Sequence, residues 1–307
     1  MANPVTSSSL IRLTDKWLRE VFDGAYAELP SNKEKLFRVI DSDRAKEEFW
    51  GITGLPDFQA FSGKLAYAPI YPSFYTRIEP KEFALGVTFE RKLLDDKLFD
   101  VLEDATAELG VAAARTQNKS EVEPFANGFS SAFSFMQSEE GVPLFSASHK
   151  NKTGASTATG FSNVGTSAFS KTAVSAARIV MRQFRSDIGE RIDTNPDTLI
   201  VPTGVADTAW ELVHTPYGYE TSAHTVSVEG HRGWKVIELP RLDDTDTNNW
   251  FMVDSRLMKK FLIWIDRIKP TFERTKDFET FELKYAGYMR YAWGFTNWRF
   301  GFGSQVS

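Results

Sequence analysis

The sequence of 307 residues contains no cysteine and only four histidines. Without thiols the chain has no means of forming a disulfide, a thiolate metal site or a cysteine nucleophile. None of the histidines has a metal-type spacing such as HxH or HExxH; they are His149, His214, His224 and His231. We therefore expect no metal, no cofactor and no thiol-dependent catalysis.

Long apolar runs and a strong positive charge are also missing. No stretch of 18 apolar residues occurs, and residues 1–9 lack the basic flank and apolar run of a secretory signal. We expect a protein that is made in the cytoplasm and has no membrane partner. The formal net charge of −5 argues against coating nucleic acid through a basic field, but it is compatible with enclosing nucleic acid.

Aromatic residues, in contrast, are abundant, with 25 Phe, 9 Tyr and 8 Trp. Aromatic side chains are enriched both in domain cores and at the buried centres of protein interfaces. Composition alone leaves open whether they fill the core of one monomer or bury surface between copies of the chain.

Residues 1–50 predict an arm with one helix. Apolar residues at spacings of three and four run from Leu10 through Trp17 to Phe22, which is typical of an amphipathic helix. Gly24 is the expected end of this helix. The charged remainder, up to residue 50, shows no second clear period.

Residues 51–86 predict an extended segment without a core. Glycines and prolines throughout this stretch prevent a long helix. Two strand-like pieces, Lys64–Ile70 and Phe74–Ile78, are rich in Tyr, Phe and Ile. The alternating apolar positions are too few for an isolated hairpin to be stable in water. The segment must therefore lie on its own domain or on a neighbouring subunit.

The rest of the chain predicts an α+β fold. Glu82–Glu90 alternates like a half-buried strand, and the longest helix is expected to begin near Asp95 and Asp96 and to end near Phe125. Its predicted buried stripe consists of Leu94, Leu98, Val101, Ala105, Leu109 and Ala112. The small, polar residues 151–167 predict a loop or linker.

Two more helices and several strands follow. One helix is expected from Ser170 to Gly189, and another after Pro202. Strands are predicted at Thr198–Val201, at Trp234–Leu239, at Trp250–Val253 and in an alternating stretch in which Phe281, Leu283 and Tyr285 share a face. The aromatic end, residues 291–303, is too apolar to be a free tail and must pair or pack.

Several patterns suggest chemistry but have simpler explanations. Ser148 and His149 could belong to a hydrolytic triad, yet no Gly-x-Ser-x-Gly elbow is present. The glycine-containing stretch 160–166 lacks the lysine of a phosphate-binding loop. The acidic cluster Asp243, Asp244 and Asp246 lacks the spacing of a calcium loop and is interpreted as a solvated turn. The basic cluster Arg178, Arg182 and Arg185 is interpreted as a helix face that is solvated or pairs across a subunit contact.

The order of these parts resembles the major capsid proteins of tailed phages with the Hong Kong 97-type fold, in particular the Mu-like major head subunit group. The resemblance lies in four stretches: Glu140-Gly141-Val142-Pro143-Leu144-Phe145-Ser146-Ala147-Ser148-His149, then Asn195-Pro196-Asp197-Thr198-Leu199-Ile200-Val201-Pro202, then Gly233–Leu242 with Trp250–Asp254, and finally Tyr288–Arg299. It covers about residues 80–303 in sequence, and the first 80 by architecture only.

The resemblance implies a domain plan. Residues 1–50 would be an N-terminal arm and 51–86 an extended loop over a neighbouring subunit. The peripheral domain, a long spine helix on antiparallel strands, would comprise 87–167 and 263–293. The axial domain, a mixed sheet flanked by helices, would comprise 168–262, joined by a C-terminal strand in 294–307.

The resemblance also implies a function and partners. The chain would assemble into pentamers and hexamers of an icosahedral shell around double-stranded DNA, which it would contact non-specifically in the virion. Portal, scaffold and possibly decoration proteins would be further partners. Two alternatives remain open: an encapsulin-like nanocompartment shell and a cytosolic hydrolase using Ser148 and His149.

Eight residues are the candidates for contacts between subunits. They belong to the arm helix and to the extended loop: Trp17, Phe22, Lys64, Tyr67, Tyr71, Phe74, Tyr75 and Arg77. Some members of the family join a lysine to an asparagine of another subunit. Lys64 and Asn297 are residues of those types, but no motif supports the bond and we do not predict it.

Overall fold

The structure is a computed structural model that describes residues 7–61, 63–65, 67–96, 98–153, 156–214, 229–230, 232–277, 279–280 and 282–306. Its helices are α1 (Ser7–Glu28), α2 (Lys33–Leu36), α3 (Arg91–Asp95), α4 (Phe99–Ala126), α5 (Lys171–Arg182), α6 (Thr203–His214) and α7 (Ser255–Phe261), with a 3-10 turn at Pro240–Leu242. None of these helices is both long and apolar enough to cross a membrane.

The strands form four sheets. In chain order they are β1 (Arg38–Asp41), β2 (Glu47–Ile52), β3 (Pro72–Ile78), β4 (Lys81–Glu90), β5 (Met136–Ser138), β6 (His149–Thr153), β7 (Ser156–Phe161), β8 (Val164–Gly165), β9 (Thr198–Val201), β10 (Lys235–Glu238), β11 (Trp250–Val253), β12 (Leu262–Lys276), β13 (Glu282–Phe295) and β14 (Gly301–Ser304). The predicted mixture of helices and strands is confirmed.

The arm helix α1 is longer than the sequence predicts, because it continues through Gly24 to Glu28. Gly24 has no neighbouring atoms within 4 Å of a would-be Cβ, so nothing there forces a turn. Helix α1 packs closely on α4 because position 110 of α4 is a glycine. A Cβ there would stand 2.5 Å from the carbonyl oxygen of Phe22. Gly110 thus lets the two helices approach closely, and the arm folds onto α4.

The long helix was predicted correctly at its end but not at its start or on its buried face. Asp95 is the last residue of the short helix α3, Asp96 follows it, and α4 begins only at Phe99. Leu102 and Leu109 are buried in a core with Leu18 and Phe22, because α1 packs on this side of α4. The predicted stripe is therefore wrong at its beginning, where the side chains of Leu98 and Val101 face solvent. The side chain of Leu94 lies outside the described part.

The first large sheet supports α4. Its order is β1-β12-β13-β4, with β1 parallel to β12 and the other pairs antiparallel. Strand β13 alternates between buried and half-buried positions and then becomes fully buried from Tyr291 to Phe295. The predicted alternation of Leu283 and Tyr285 is confirmed, whereas Phe281 lies outside the described residues.

The second large sheet contains the C-terminal strand near its centre. Its order is β10-β9-β11-β14-β8, in which β10 and β9 are parallel and β11 is antiparallel to both of its neighbours. Helices α5 and α6 contribute Ala177 and Ala209 to the same core. Phe300 and Phe302 are buried beside this strand, so the aromatic end packs as predicted. Helix α5 ends earlier than predicted, at Arg182, and Gly189 lies in a later turn.

Residues 151–167 are not the loop or linker that their composition predicts. They contain most of an antiparallel hairpin, in which β6 pairs with β7 from His149 opposite Phe161 to Thr153 opposite Ser156. The next residues, Val164 and Gly165, pair with β14. The prediction from side-chain composition was wrong here because these strands are stabilised by backbone pairing and by partners distant in the sequence.

Candidate inter-subunit surfaces

The segment between β2 and β3 exposes an unusual amount of apolar surface. Nine of the sixteen exposed large hydrophobic side chains that the structure describes lie in residues 50–71: Trp50, Ile52, Leu55, Phe58, Phe61, Leu65, Tyr67, Ile70 and Tyr71. Isolated exposed apolar residues are normal, but a contiguous set marks a surface that another molecule covers. The predicted strand Lys64–Ile70 is absent, since no described residue of 53–71 is helical or in a strand.

The base of this segment is closed, although its tip has no regular structure. The amide of Thr53 donates to the carbonyl of Tyr71 at 3.0 Å, and the amide of Tyr71 donates to the hydroxyl of Thr53 at 3.1 Å. Beneath this clasp, β2 and β3 pair antiparallel, and β5 pairs with the other side of β3. The segment is therefore an extended loop held at a defined position by a three-stranded sheet.

The candidate residues of the extended loop occupy three kinds of position. Lys64, Tyr67 and Tyr71 are exposed on the loop itself. Phe74, Tyr75 and Arg77 are half-buried on β3. The ring of Tyr75 stacks on the exposed indole of Trp50, with centroids 5.2 Å apart, and Arg77 pairs with Glu79 at 3.1 Å. Contacts with another subunit at these positions stay a prediction.

The two candidates on α1 differ from each other. Trp17 is half-buried and meets Phe99 edge to face, with 6.5 Å between ring centroids. Phe22 is fully buried in its own chain, where it packs on Phe272 at a centroid distance of 5.4 Å. Phe22 is therefore a core residue of its own chain, and its contact with a neighbouring subunit stays a prediction.

His149 has a structural environment rather than that of a catalytic base. Its Nδ1 lies 2.9 Å from a carboxylate oxygen of Glu140, and its Nε2 lies 3.1 Å from the side-chain oxygen of Asn163. The imidazole is completely buried and stacks on Trp298, whereas Ser148 is exposed and its hydroxyl lies 3.3 Å from that of Ser146. Both ring nitrogens thus face other partners than the proposed nucleophile.

The remaining charged candidates also make local structural contacts. Asp243 accepts a hydrogen bond from the amide of Thr203 at the start of α6, and Asp246 accepts from the amide of Asn248. Arg182 donates to Asn195, and Arg185 donates to the carbonyl of Gly189. No group of three or more potential metal ligands was found among the described residues.

Sequence reasoning missed part of the exposed apolar surface. It singled out the tyrosines of the loop but not Phe58 and Phe61, and it assigned Leu98 and Val101 to the buried stripe of the long helix. The exposure of Phe58 and Phe61 could have been predicted from their position among glycines and prolines. A large apolar side chain in such a segment has no helix or strand of its own to pack against. For Leu98 and Val101 the helical period predicted burial, whereas both side chains are exposed.

The fold and the exposed loop together define a class of shell-forming subunit, the Hong Kong 97-type capsid proteins. The procapsid protein of bacteriophage JBD30 matches with a TM-score of 0.54 and 18% identity over 98% of this chain and 77% of its own. The mature capsid of bacteriophage PhiM1 gives 0.55 with 12% identity, covering 91% and 88%. A virus-like particle from Pyrococcus furiosus gives 0.53 with 10% identity, covering 94% and 98%. The predicted fold class is confirmed.

A family model described as phage capsid protein matches residues 74–303. The chain therefore belongs to the phage capsid protein family, and it is a major capsid protein that forms part of the viral shell. A comparison with curated proteins gave no match. The family match begins at β3, so the arm and most of the extended loop lie outside it and are known from the fold alone.

Proposed function

We propose that the extended loop of this capsid protein lies on a neighbouring subunit and that this contact holds the shell together. The observation that carries the proposal is the apolar surface of residues 50–71, which the chain's own core leaves uncovered. The clasp between Thr53 and Tyr71 supports it, because a fixed base reduces the entropy lost when a loop docks. Lys64, Tyr67, Tyr71, Phe74, Tyr75, Arg77 and Trp17 are proposed as contact residues.

The division into domains follows from the same proposal. Residues 1–50 are the arm, 87–167 and 263–293 the peripheral domain, and 168–262 with 294–307 the axial domain. The pairing of β14 with β11 supports the last assignment, since it joins the C-terminus to the second sheet. The pairing of residues 87–90, the end of β4, with β13 supports the assignment of these two parts to one peripheral unit.

The partners and location are proposed from the capsid family. The shell encloses double-stranded DNA, which subunits contact through scattered cations without reading its sequence. A portal, a scaffold and possibly a decoration protein act with it, and synthesis takes place in the host cytoplasm. We infer no catalytic activity, in keeping with the contacts of His149 to Glu140 and Asn163. No observation favours a nanocompartment over a phage capsid.

Replacing the apolar side chains of the loop tests this proposal. A variant with Leu55, Phe58, Phe61 and Leu65 changed to Ser keeps the length of the loop but removes its apolar surface. We expect folded subunits that no longer form shells, as measured by sedimentation and negative-stain electron microscopy. A matched control changes the exposed polar residues Asp57 and Gln59 of the same loop to Ser and is expected to assemble normally.

Shells formed at the normal yield by the four-serine variant would contradict the proposal. Circular dichroism of the soluble fraction separates loss of assembly from loss of folding. A monodisperse monomer in the unaltered protein, under every condition tried, would contradict shell formation by this chain as a whole.

A further inference from the structure

The helix α4 has a second apolar face that the monomer leaves open. Leu98 and Val101 expose 46% and 50% of their surface, although Leu102, one residue away, is buried. At about 100° per residue, positions 101, 105 and 112 fall on one flank of the helix, beside the flank that packs on α1, and Leu98 immediately precedes the helix. On β4, the side chain of Leu85 is 56% exposed. Of the helix flank, Ala112 lines the same recess as Leu85, whereas Leu98 and Val101 lie outside it.

Between α4 and β4 lies a groove of about 380 Å³. Its walls include Phe83 and Leu85 from β4, Ala112 and Ala113 from α4, and Met289 from β13. The sequence creates this space because Gly287, opposite Leu85 in the sheet, has no side chain, and because Ala112 and Ala113 of α4 contribute only methyl groups. A cavity of roughly 150 Å³ is enough to hold benzene. The groove is thus large enough for one or two aromatic rings.

The extended loop of the same chain does not fill the groove. None of the residues that line it belongs to the segment 53–71, and Phe58 and Phe61 remain exposed. One chain therefore carries an aromatic projection and an apolar recess that do not meet within the monomer. Two different surface patches that fit each other produce a head-to-tail contact between copies, which closes into rings when the rotation permits.

The chemistry of the loop tip suits the groove. The four residues 58–61 are Phe-Gln-Ala-Phe and carry no charge. A phenyl ring has no polar atom that needs a partner when it is buried, unlike the hydroxyl of Tyr67. Glu82, which lines the groove, already pairs with Arg290 of the same chain at 3.8 Å. We propose that the groove between α4 and β4 receives the phenyl rings of residues 58–61 from a neighbouring copy.

This inference rests on the proposed docking of the loop onto a neighbour and adds the place where it docks. Burial of each ring is expected to strengthen the contact by roughly thirtyfold. The absence of cysteine from the chain permits a direct test, because introduced thiols have no background. Subunits carrying Phe58→Cys or Phe61→Cys are assembled with subunits carrying Leu85→Cys and treated with a short thiol-reactive cross-linker.

A covalent dimer between a loop variant and the Leu85→Cys subunit is the expected result. The matched control replaces the Leu85→Cys subunit with one carrying Ile179→Cys, an exposed aliphatic position on α5 away from the groove, and should give no dimer. Particles of each single variant show how much cross-linking occurs between like positions. Shells in which neither loop thiol reaches position 85 would overturn the groove assignment and leave the wider proposal of loop docking intact.

Filling the groove provides an independent measurement. Ala112→Phe places a ring where the neighbour's ring is expected, and shell yield should fall by about thirtyfold while the subunit stays folded. Ala176→Phe, on an exposed position of α5, adds the same bulk elsewhere and should leave the yield unchanged. Normal shells from Ala112→Phe would overturn the inference, whereas loss of shells by the four-serine loop variant alone would support only the wider proposal.

Discussion

The imidazole of His149 lies flat against the indole of Trp298, with ring centroids 4.3 Å apart and planes 11° from parallel. Phe184 closes the edge of the indole at a centroid distance of 5.2 Å. Through Glu140 and Asn163, the same imidazole is bonded to the segments before and after the β6–β7 hairpin. One buried ring therefore ties three distant parts of the chain together.

Replacing His149 with Ala should destabilise the subunit by about 3 kcal/mol, because it removes the stacked ring together with its buried hydrogen bonds to Glu140 and Asn163. Urea unfolding followed by Trp fluorescence measures the loss. His214 also stacks on a tryptophan, Trp210, but on the exposed surface of α6. His214→Ala should change the stability by less than about 0.5 kcal/mol. Equal effects of the two substitutions would contradict the role assigned to His149.

Arg299 anchors the same region through its planar guanidinium. Its Nε donates to the carbonyl of Arg185 at 2.7 Å, and one terminal nitrogen donates to Asp187 at 2.8 Å and also contacts Asn151. Burial lowers the pKa of Arg299 below its usual range, and the charge of Asp187 partly offsets this effect. These contacts involve different nitrogens of one planar guanidinium. The single ammonium group of a lysine cannot make all of them at once.

Arg299→Lys should therefore cost about 3 kcal/mol of unfolding free energy, although the charge is kept. Chemical denaturation of the two proteins at neutral pH is the measurement. Arg44→Lys serves as the control. The exposed Arg44 pairs with the half-buried Glu47 at 3.6 Å, and the substitution should cost less than about 0.5 kcal/mol. A loss no larger than that of the control would show that charge alone matters at position 299.

Several strand positions and the packing of the C-terminal end were predictable from the sequence, whereas the hairpin and the faces of α4 were not. Alternation of Leu283 and Tyr285 and the buried run Thr198–Val201 are local signals that tertiary packing reinforces. The strands of residues 149–161 carry small and polar side chains, so nothing in their composition marks them. Their positions follow from backbone pairing and from contacts such as that between His149 and Asn163.

The candidate surfaces were predictable only in part, for a related reason. Glycine and proline between residues 51 and 72 identified a segment without its own core, and the exposed side chains agree with that prediction. The amphipathic period of α4 did not distinguish a face that packs within the chain from one that lies open. Which flank the monomer buries was decided by the close approach of α1 at Gly110, a contact across 88 residues from Phe22 that no local pattern encodes.

Tyr291 predicts a loss of stability at high pH. Burial raises the pKa of Tyr291 to about 12, and its hydroxyl lies 2.9 Å from that of Ser120. In the unfolded chain a tyrosine titrates near pH 10. Between about pH 10 and 12 the unfolded state releases the proton while the folded state keeps it, so the stabilising effect is complete below about pH 10 and is lost as the pH rises toward 12.

Tyr291→Phe should remove this contribution, so its stability should fall less steeply than that of the unaltered protein between about pH 10 and 12. The lost hydroxyl contacts should reduce stability at neutral pH by about 1 kcal/mol. Urea midpoints measured across this pH range give both quantities. Parallel curves for the two proteins would contradict the buried, neutral state of Tyr291.

Phe145 packs against glycines that have no room for a side chain. A Cβ at Gly303 would lie 2.7 Å from the Phe145 ring, and a Cβ at Gly128 would lie equally close on that ring. Gly303→Ala should cost about 2 kcal/mol because the ring has to move within a dense core. Phe145→Leu should itself destabilise the protein but should reduce the added cost of Gly303→Ala, a coupling that a double-mutant cycle measures.

Gly24→Ala is the control, since α1 is open there, and it should stabilise the helix by about 0.5–1 kcal/mol. Additive effects at positions 145 and 303 would show that the two residues do not compete for the same space.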